Sequence, residues 1–278
     1  MEHMGTLTCR VIAEIGWNHM GDMDLARRMI AAAAEAGADI VKFQTWRVAK
    51  LKPGPWDSDG RREIYERAEL TPEAHGLLAQ TCRDHGVTFM TSLFDAGDVE
   101  MVVALGSAIV KIPSPEAHNA ELLHAVDGRF DRVLVSTGAS EWSEIERIPS
   151  MIRKSTLSLL HCVSAYPCPP DQVNLPRMDA LRTVAPSVGY SGHLDGVADA
   201  IAAVARGAQY VEKHFTLDRM LPGRDNRFAL LPADLRNLCE FRDAFAAMSI
   251  DRGVDLQECE RDVKERYRGR WSGGEAAH

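Results

Sequence analysis

Val11-Ile12-Ala13-Glu14-Ile15, a helical stretch from Asp22 to Ala36, then Asp39-Ile40-Val41-Lys42-Phe43: this run decides the fold. The outer segments are β-branched and apolar, which suits buried strands. Between them Leu25, Met29 and Ala33 recur at spacing four, the period of one helix face. Gly37 stops that helix, as a residue just past a helix end should. Strand, helix and strand in this order form a βαβ unit, which places the two strands in parallel.

The same pattern recurs along the chain. Further strands are expected at Val87–Met90, Ala108–Ile112, Arg132–Ser136, Thr156–His161, Ser187–Tyr190 and Gln209–His214. Helices are expected near 72–86, 96–105, 119–126, 141–153, 175–184, 196–206 and 232–247, the first capped by Thr71-Pro72-Glu73. Residues 50–60 are rich in Pro, Gly and Asp and read as a long loop. Eight βα units predict an α/β fold, a (β/α)8 TIM barrel in a single domain over residues 1–250. Residues 251–278 read as a charged, Gly-rich C-terminal tail. An open doubly wound sheet would want GxGxxG after the first strand, and that pattern is absent.

Composition narrows the function classes. The chain has 278 residues, a formal net charge of −8 and 45% hydrophobic residues. An acidic chain is a poor match for nucleic acid, whose phosphates need a basic face. No run approaches the roughly 20 apolar residues that span a bilayer, and the first ten residues lack a signal-peptide core. The six cysteines are scattered without a CxxC pair, so a reducing cytoplasm is the expected compartment.

In a (β/α)8 barrel the chemistry sits where the strands end. Here those ends carry Glu14, Lys42, Gln44, Ser92, Lys111, Ser114, Glu116, Ser136, His161, Ser191, His193, Glu212 and His214. A lysine inside an apolar strand needs a partner. Lys42 and Lys111 could each pair with Glu14, Glu116 or Glu212; together with Ser114, Ser136 and Ser191 they could instead build an anion site. His193 and His214 end neighbouring strands roughly 5 Å apart, so both imidazoles can share one metal, with Glu14 or Asp225 completing the shell. His19 and His161 are expected behind that centre. The segment Pro222-Gly223-Arg224-Asp225-Asn226 could fold over the mouth, or be an ordinary solvated turn.

Beyond these readings, the motifs resemble a known family. Ala13-Glu14-Ile15-Gly16-Trp17-Asn18-His19-Met20-Gly21-Asp22 is similar to the AEIGxNHxGD opening of the sialic acid (N-acylneuraminate) synthases, and Val41-Lys42-Phe43-Gln44 to their VKFQ. Phe94-Asp95, Ser136-Thr137-Gly138, Leu160-His161-Cys162, Tyr166-Pro167 and Val173-Asn174-Leu175 follow in family order. Gly189-Tyr190-Ser191-Gly192-His193 resembles GYSDH, Glu212 to Asp218 matches EKHFTLD, and Leu221 to Asp225 resembles LPGPD. Together these cover roughly residues 11 to 247 and are specific as a set.

The resemblance implies metal-dependent condensation of phosphoenolpyruvate with an open-chain aldose of the N-acylhexosamine kind. The products are a 2-keto sugar acid and phosphate. It implies Glu14 near the reacting carbons, Lys42 and Lys111 on phosphoenolpyruvate, and a divalent cation, Mn2+ or Mg2+, on His193 and His214. The expected catalytic residues are Glu14, Lys42, Lys111 and Glu116, since a carboxylate such as Glu14 or Glu116 can take the proton of the water that adds at C2. Ser92, Ser114, Ser136 and Ser191 would hold phosphoenolpyruvate, while Tyr166, Asp225 and Asn174 would face the sugar. The expected partners are those two substrates, with neither nucleic acid nor membrane, and a second copy in a homodimer.

The pattern also departs from the family. SGE becomes Ser114-Pro115-Glu116, STPFD becomes Thr91-Ser92-Leu93-Phe94-Asp95, and SDH becomes Ser191-Gly192-His193. The last change removes an aspartate beside a metal ligand. The family's C-terminal antifreeze-like domain, which supplies an arginine to the sugar site, is expected to be missing, with Arg268 or Arg270 as a substitute. Two other readings stand beside the synthase. One is a metal-dependent aldolase or 3-deoxy-sugar-acid synthase with another aldehyde acceptor; the other is a catalytically silent phosphosugar-binding barrel.

Overall fold

The computed structural model describes residues 9–271. Eight parallel strands close into a barrel in sequence order, β1 against β2 through to β8 and back to β1. They are β1 Arg10–Gly16, β2 Ile40–Thr45, β3 Thr88–Leu93, β4 Ile109–Ile112, β5 Arg132–Ser136, β6 Thr156–Cys162, β7 Ser187–Gly192 and β8 Tyr210–His214. The helices are α1 Met23–Glu35, α2 Arg61–Ala68, α3 Pro72–Asp84, α4 Val99–Ala104, α5 Ala120–Val126, α6 Trp142–Ile145, α7 Ile148–Met151, α8 Arg177–Leu181, α9 Ala198–Ala205, α10 Pro232–Met248 and α11 Arg261–Arg266. The expected (β/α)8 TIM barrel is thus the observed fold.

Local chemistry explains the elements. The Asp22 carboxylate accepts from Leu25 N and caps α1, while Gly37 ends it in the left-handed region at φ 93°. Leu25, Ala26, Met29, Ile30 and Ala33 bury one face of α1 against the barrel. Thr71 caps α3 by accepting from Ala74 N, with Pro72 in the first turn. The single helix expected over 141–153 is two short ones, and Pro149 lies in the first turn of the second, where its missing N–H costs nothing.

Two apolar layers hold the barrel. The larger lies between the strands' outer faces and the helices, from Val11 and Val41 to Leu235 and Leu238. The smaller fills the barrel itself: Ile12, Ile40, Met90, Ile109, Leu134, Leu160 and Tyr210. Beyond α10 the chain lies outside both layers. Val254, Val263 and Trp271 are exposed, and the Gly-rich end of the expected tail, 272–278, falls outside the described residues. Among the described residues no helix is long and apolar enough to cross a membrane.

Candidate active site

Side chains alternate across a strand with period two. Two residues beyond each member of the inner apolar layer the barrel interior therefore meets Glu14, Lys42, Ser92, Lys111, Ser136, Cys162 and Glu212; Ser191 holds the same level on β7. All eight line one cavity of about 360 Å³ at the C-terminal end of the barrel. Another step of two brings Gln44, Phe94, Pro113, His193 and His214 to its walls. Ser114, Tyr166 and Asp225 complete the set of expected residues that the structure brings together there.

The floor is a buried charge cluster. Lys42 Nζ lies 2.8 Å from Glu14 Oε2 and 3.5 Å from Glu212 Oε1, and donates to Ser92 Oγ at 2.9 Å. Lys111 Nζ lies 3.9 Å from Glu212 Oε2. Ser191 Oγ donates to Glu212 Oε1 at 3.1 Å, and Gln44 Nε2 to Glu14 Oε1 at 2.6 Å. The lysines are therefore both paired with carboxylates and turned to the cavity. Buried Ser136 Oγ has no hydrogen-bond partner among the described residues. Such an orphan costs free energy unless a ligand takes it up.

The two glutamates differ. Burial pushes the Glu14 carboxyl up to about 7, against the pull of Lys42. Burial acts on Glu212 in the same direction, but Lys111 and Lys42 outweigh it and hold its carboxyl below the usual range. Lys42 shows the mirror image: burial works against its charge, yet Glu14 and Glu212 keep its pKa above the ordinary value. Lys111 is lowered by burial despite Glu212. The floor thus holds two carboxylates whose surroundings push them in opposite directions, the kind of separation on which acid–base chemistry depends.

Above the floor stand two imidazoles, His193 and His214, with ring centres 5.5 Å apart. The His193 Nδ1 edge meets Val163 O at 2.9 Å, which leaves Nε2 as the ring's other donor atom. Burial first, then His193 and the nearby lysines, hold His214 well below the ordinary value, so it stays neutral. Its buried Nδ1 has no hydrogen-bond partner among the described residues and lies 3.5 Å from Asp225 Oδ2. Asp225 accepts from Trp17 Nε1 at 2.6 Å, and burial raises its carboxyl to about 6.

Burial works against charge on His193, but Cys162 and Val163 O outweigh it and raise its pKa. Two imidazoles side by side, one neutral with an orphaned nitrogen, still fit a divalent cation once His193 gives up its proton. Among the described residues no group of three or more His, Cys, Asp or Glu side chains forms a full cage. Cys162 also belongs to this wall. Its Sγ lies 3.9 Å from His193 Nδ1, and His193, Ser114 and Lys111 outweigh burial to hold its pKa below the ordinary thiol value.

Four expected residues lie elsewhere. Glu116 does not line the cavity; Ser114–Glu116 form a 3-10 turn after Pro113, and Glu116 Oε2 accepts from Asn119 Nδ2 at 2.8 Å. Asn174 is exposed outside the cavity, its backbone in the left-handed region at φ 50°. Neither Arg268 nor Arg270 lines the cavity, and Arg270 stacks on Tyr267 and Trp271 at the surface. His19 and His161 are fully buried and do not line the cavity. Sequence reasoning missed Arg61 and Tyr65, which α2, a helix not expected between the 50–60 loop and Thr71, brings to the mouth. That segment is anchored by Arg47, which donates to Asp98 Oδ1 at 3.1 Å and Leu70 O at 3.0 Å. Trp17, Trp46, Tyr65 and Phe94 pack into an aromatic wall beside it. Glu212 had a legible signal: it stands two residues before His214 on one strand and so faces the same interior.

Known proteins align with this arrangement. The N,N'-diacetyllegionaminic acid synthase of Campylobacter jejuni is 35% identical over 246 residues, 82% of this chain and 74% of that protein. The N-acetylneuraminate-9-phosphate synthase of Drosophila melanogaster is 37% identical over 243 residues, 82% of this chain and 65% of that protein. The crystal structure of N-acetylneuraminic acid (sialic acid) synthetase from Leptospira borgpetersenii superposes with a TM-score of 0.84 at 30% identity, covering 99% of this chain and 97% of that one. The NeuB family model matches residues 29–251, and with barrel, cavity and relatives in agreement, the chain belongs to the NeuB family.

Proposed function

We propose that the protein condenses phosphoenolpyruvate with an open-chain amino-sugar aldose, releasing phosphate and a 2-keto sugar acid. The observation that carries this reading is the floor: two buried ammonium groups and an orphaned serine hydroxyl face one cavity beneath two imidazoles. Lys42, Lys111, Ser92, Ser114, Ser136 and Ser191 bind the phosphate and carboxylate, whose charge the ammonium groups offset. Tyr166 and Asp225 face the sugar. His193 and His214 hold a divalent cation, Mn2+ or Mg2+, which when bound supplies Lewis-acid polarisation of the aldehyde oxygen.

The remaining chemistry belongs to the chain's own groups. The methylene carbon of the enolpyruvyl group forms the new bond to the aldehyde carbon, and water adds at C2. Glu14 takes the proton from that water, and the former aldehyde oxygen, left as an alkoxide by the new bond, takes up a proton to become a hydroxyl. The C2–O bond to phosphate then breaks, and Lys42 and Lys111 stabilise the charge on the departing group. Holding both substrates in one cavity removes much of the entropic barrier. Glu212 stays ionised and keeps the two lysines in place.

The catalytic unit spans residues 1–250, with 251–278 appended. All six cysteines are free, and phosphoenolpyruvate arises in central metabolism, so we place the protein in the cytoplasm, as a homodimer. The test is phosphate release from phosphoenolpyruvate across a panel of N-acylated hexosamines and simple aldoses. Release is expected with the amino sugars, lost on EDTA treatment and restored by Mn2+ or Mg2+. Turnover with pyruvate in place of phosphoenolpyruvate would point to an aldolase, and no release with any aldehyde to a silent barrel.

A further inference from the structure

Behind the imidazoles, on the outer side of the barrel wall, lies a second buried charge cluster that the chemistry does not use. Lys213 alternates with Glu212 and His214 and so faces outward, towards α9. It is 2% exposed, and its partner Asp199, in the first turn of α9, is 3% exposed. Lys213 Nζ lies 3.0 Å from both carboxylate oxygens of Asp199 and donates to Leu194 O at 2.7 Å. Tyr190 OH donates to Asp199 Oδ2 at 2.9 Å, and Ala200 N to Oδ1 at 2.8 Å. The cluster is thus fully satisfied, though ionic pairs buried this deeply are weak sources of stability.

Its connectivity points to another role. Lys213 immediately precedes His214, and Leu194 immediately follows His193. One ammonium group therefore ties the backbones that carry the two imidazoles. Across the same ladder Gly192 pairs with Lys213. A first side-chain carbon at Gly192 would fall on Asp199 Oδ2 and on the Tyr190 ring. The space beside His193, where the family pattern SDH places an aspartate, is filled in this chain by the carboxylate of Asp199, reaching in from the helix.

We infer that Lys213, Asp199 and Tyr190 form a positioning brace that fixes the spacing of His193 and His214 for cation binding, with Asp199 replacing the aspartate absent at position 192. The inference rests on the reading that those imidazoles hold the cation. Groups that orient metal ligands from behind typically change metal affinity about 10–100-fold when removed.

The experiment titrates MnCl2 into EDTA-stripped protein and reads free Mn2+ by electron paramagnetic resonance, without substrate or turnover. Asp199→Ala is expected to weaken Mn2+ binding at least about tenfold, and Asp199→Asn, which keeps the shape but not the charge, to weaken it less than Asp199→Ala. Tyr190→Phe, which removes one hydroxyl and is the mildest change, should weaken binding less but measurably. Arg242→Met, which breaks the pair with Asp39 at the opposite end of the barrel, serves as the control: it should lower melting temperature and leave Mn2+ affinity unchanged. Folded Asp199→Ala or Tyr190→Phe protein with wild-type affinity overturns the brace. Failure of the wild-type protein to bind Mn2+ overturns the imidazole reading itself, and is distinguishable because the loss then precedes any substitution.

Discussion

Two levels of the same barrel, one residue pair apart, differ in almost every property. The lower level is Ile12, Ile40, Met90, Ile109, Leu134, Leu160 and Tyr210, packed without a charge. The upper level holds two glutamates and two lysines among serines and a cysteine, nearly as buried as the plug beneath. Burial in the first case stabilises the fold. In the second it costs desolvation, and the pairs recover only part of that cost. A chain that keeps such a layer keeps it for what the layer does. The contrast also locates the two roles: stability at the lower level, chemistry at the strands' C-terminal ends.

Substitutions at the two levels should therefore fail differently. The largest functional effect belongs to the upper one. Lys111→Met is expected to lower the rate of phosphate release about 100- to 1000-fold, the scale for losing one charge-stabilising donor. Its melting temperature should stay near wild type. A variant that unfolds but retains its specific activity while folded would reverse the assignment.

At the lower level, Leu134→Ala removes a fully buried side chain and should cost about 2–5 kcal/mol of unfolding free energy. Urea denaturation measures this, while kcat/KM of the folded fraction should stay within a few-fold of wild type. A kinetic collapse at unchanged stability would mean that the plug shapes the floor more directly than its chemistry suggests.

The smallest effect sharpens the boundary between the levels. His19 is buried, and burial holds it at about 4, only partly offset by Asp22. The unfolded chain, whose histidines titrate near 6.5, takes up that proton first. Its contribution is complete above pH 6.5 and is lost as pH falls towards 4. His19→Asn should flatten the acid side of a stability–pH curve measured by urea denaturation. An unchanged curve would assign acid sensitivity to other groups.

The strands and most of the floor were legible because period two is simple to follow. Once Ile12 and Ile40 are inward, Glu14 and Lys42 must be. Glu116 escaped that rule: Pro113-Ser114-Pro115 replaces strand with a tight turn, so counting from Lys111 no longer gives direction. Asn174 lies twelve residues past Cys162, in a turn whose left-handed backbone a family motif does not disclose. Arg61 and Tyr65 were illegible for a different reason. Their segment has no long apolar period of its own, and its path is set by Arg47 bonding to Asp98 and Leu70, contacts distant in sequence. The brace behind the wall was invisible too, since nothing in Ser191-Gly192-His193 announces that a helix supplies the carboxylate.

The barrel closes where its first strand meets its last: Phe215 N donates to Glu14 O at 2.8 Å, and His214 stands opposite Glu14 in that seam. During synthesis the ribosome delivers Glu14 early, and Glu212 and His214 only after two hundred further residues. Until β8 arrives, the nascent sheet has two open edges, each a template for unwanted pairing. The growing chain thus carries both unpaired edges until one five-residue strand closes the sheet, and Asp225 of the cavity and the core residues of α10 arrive only after that closure.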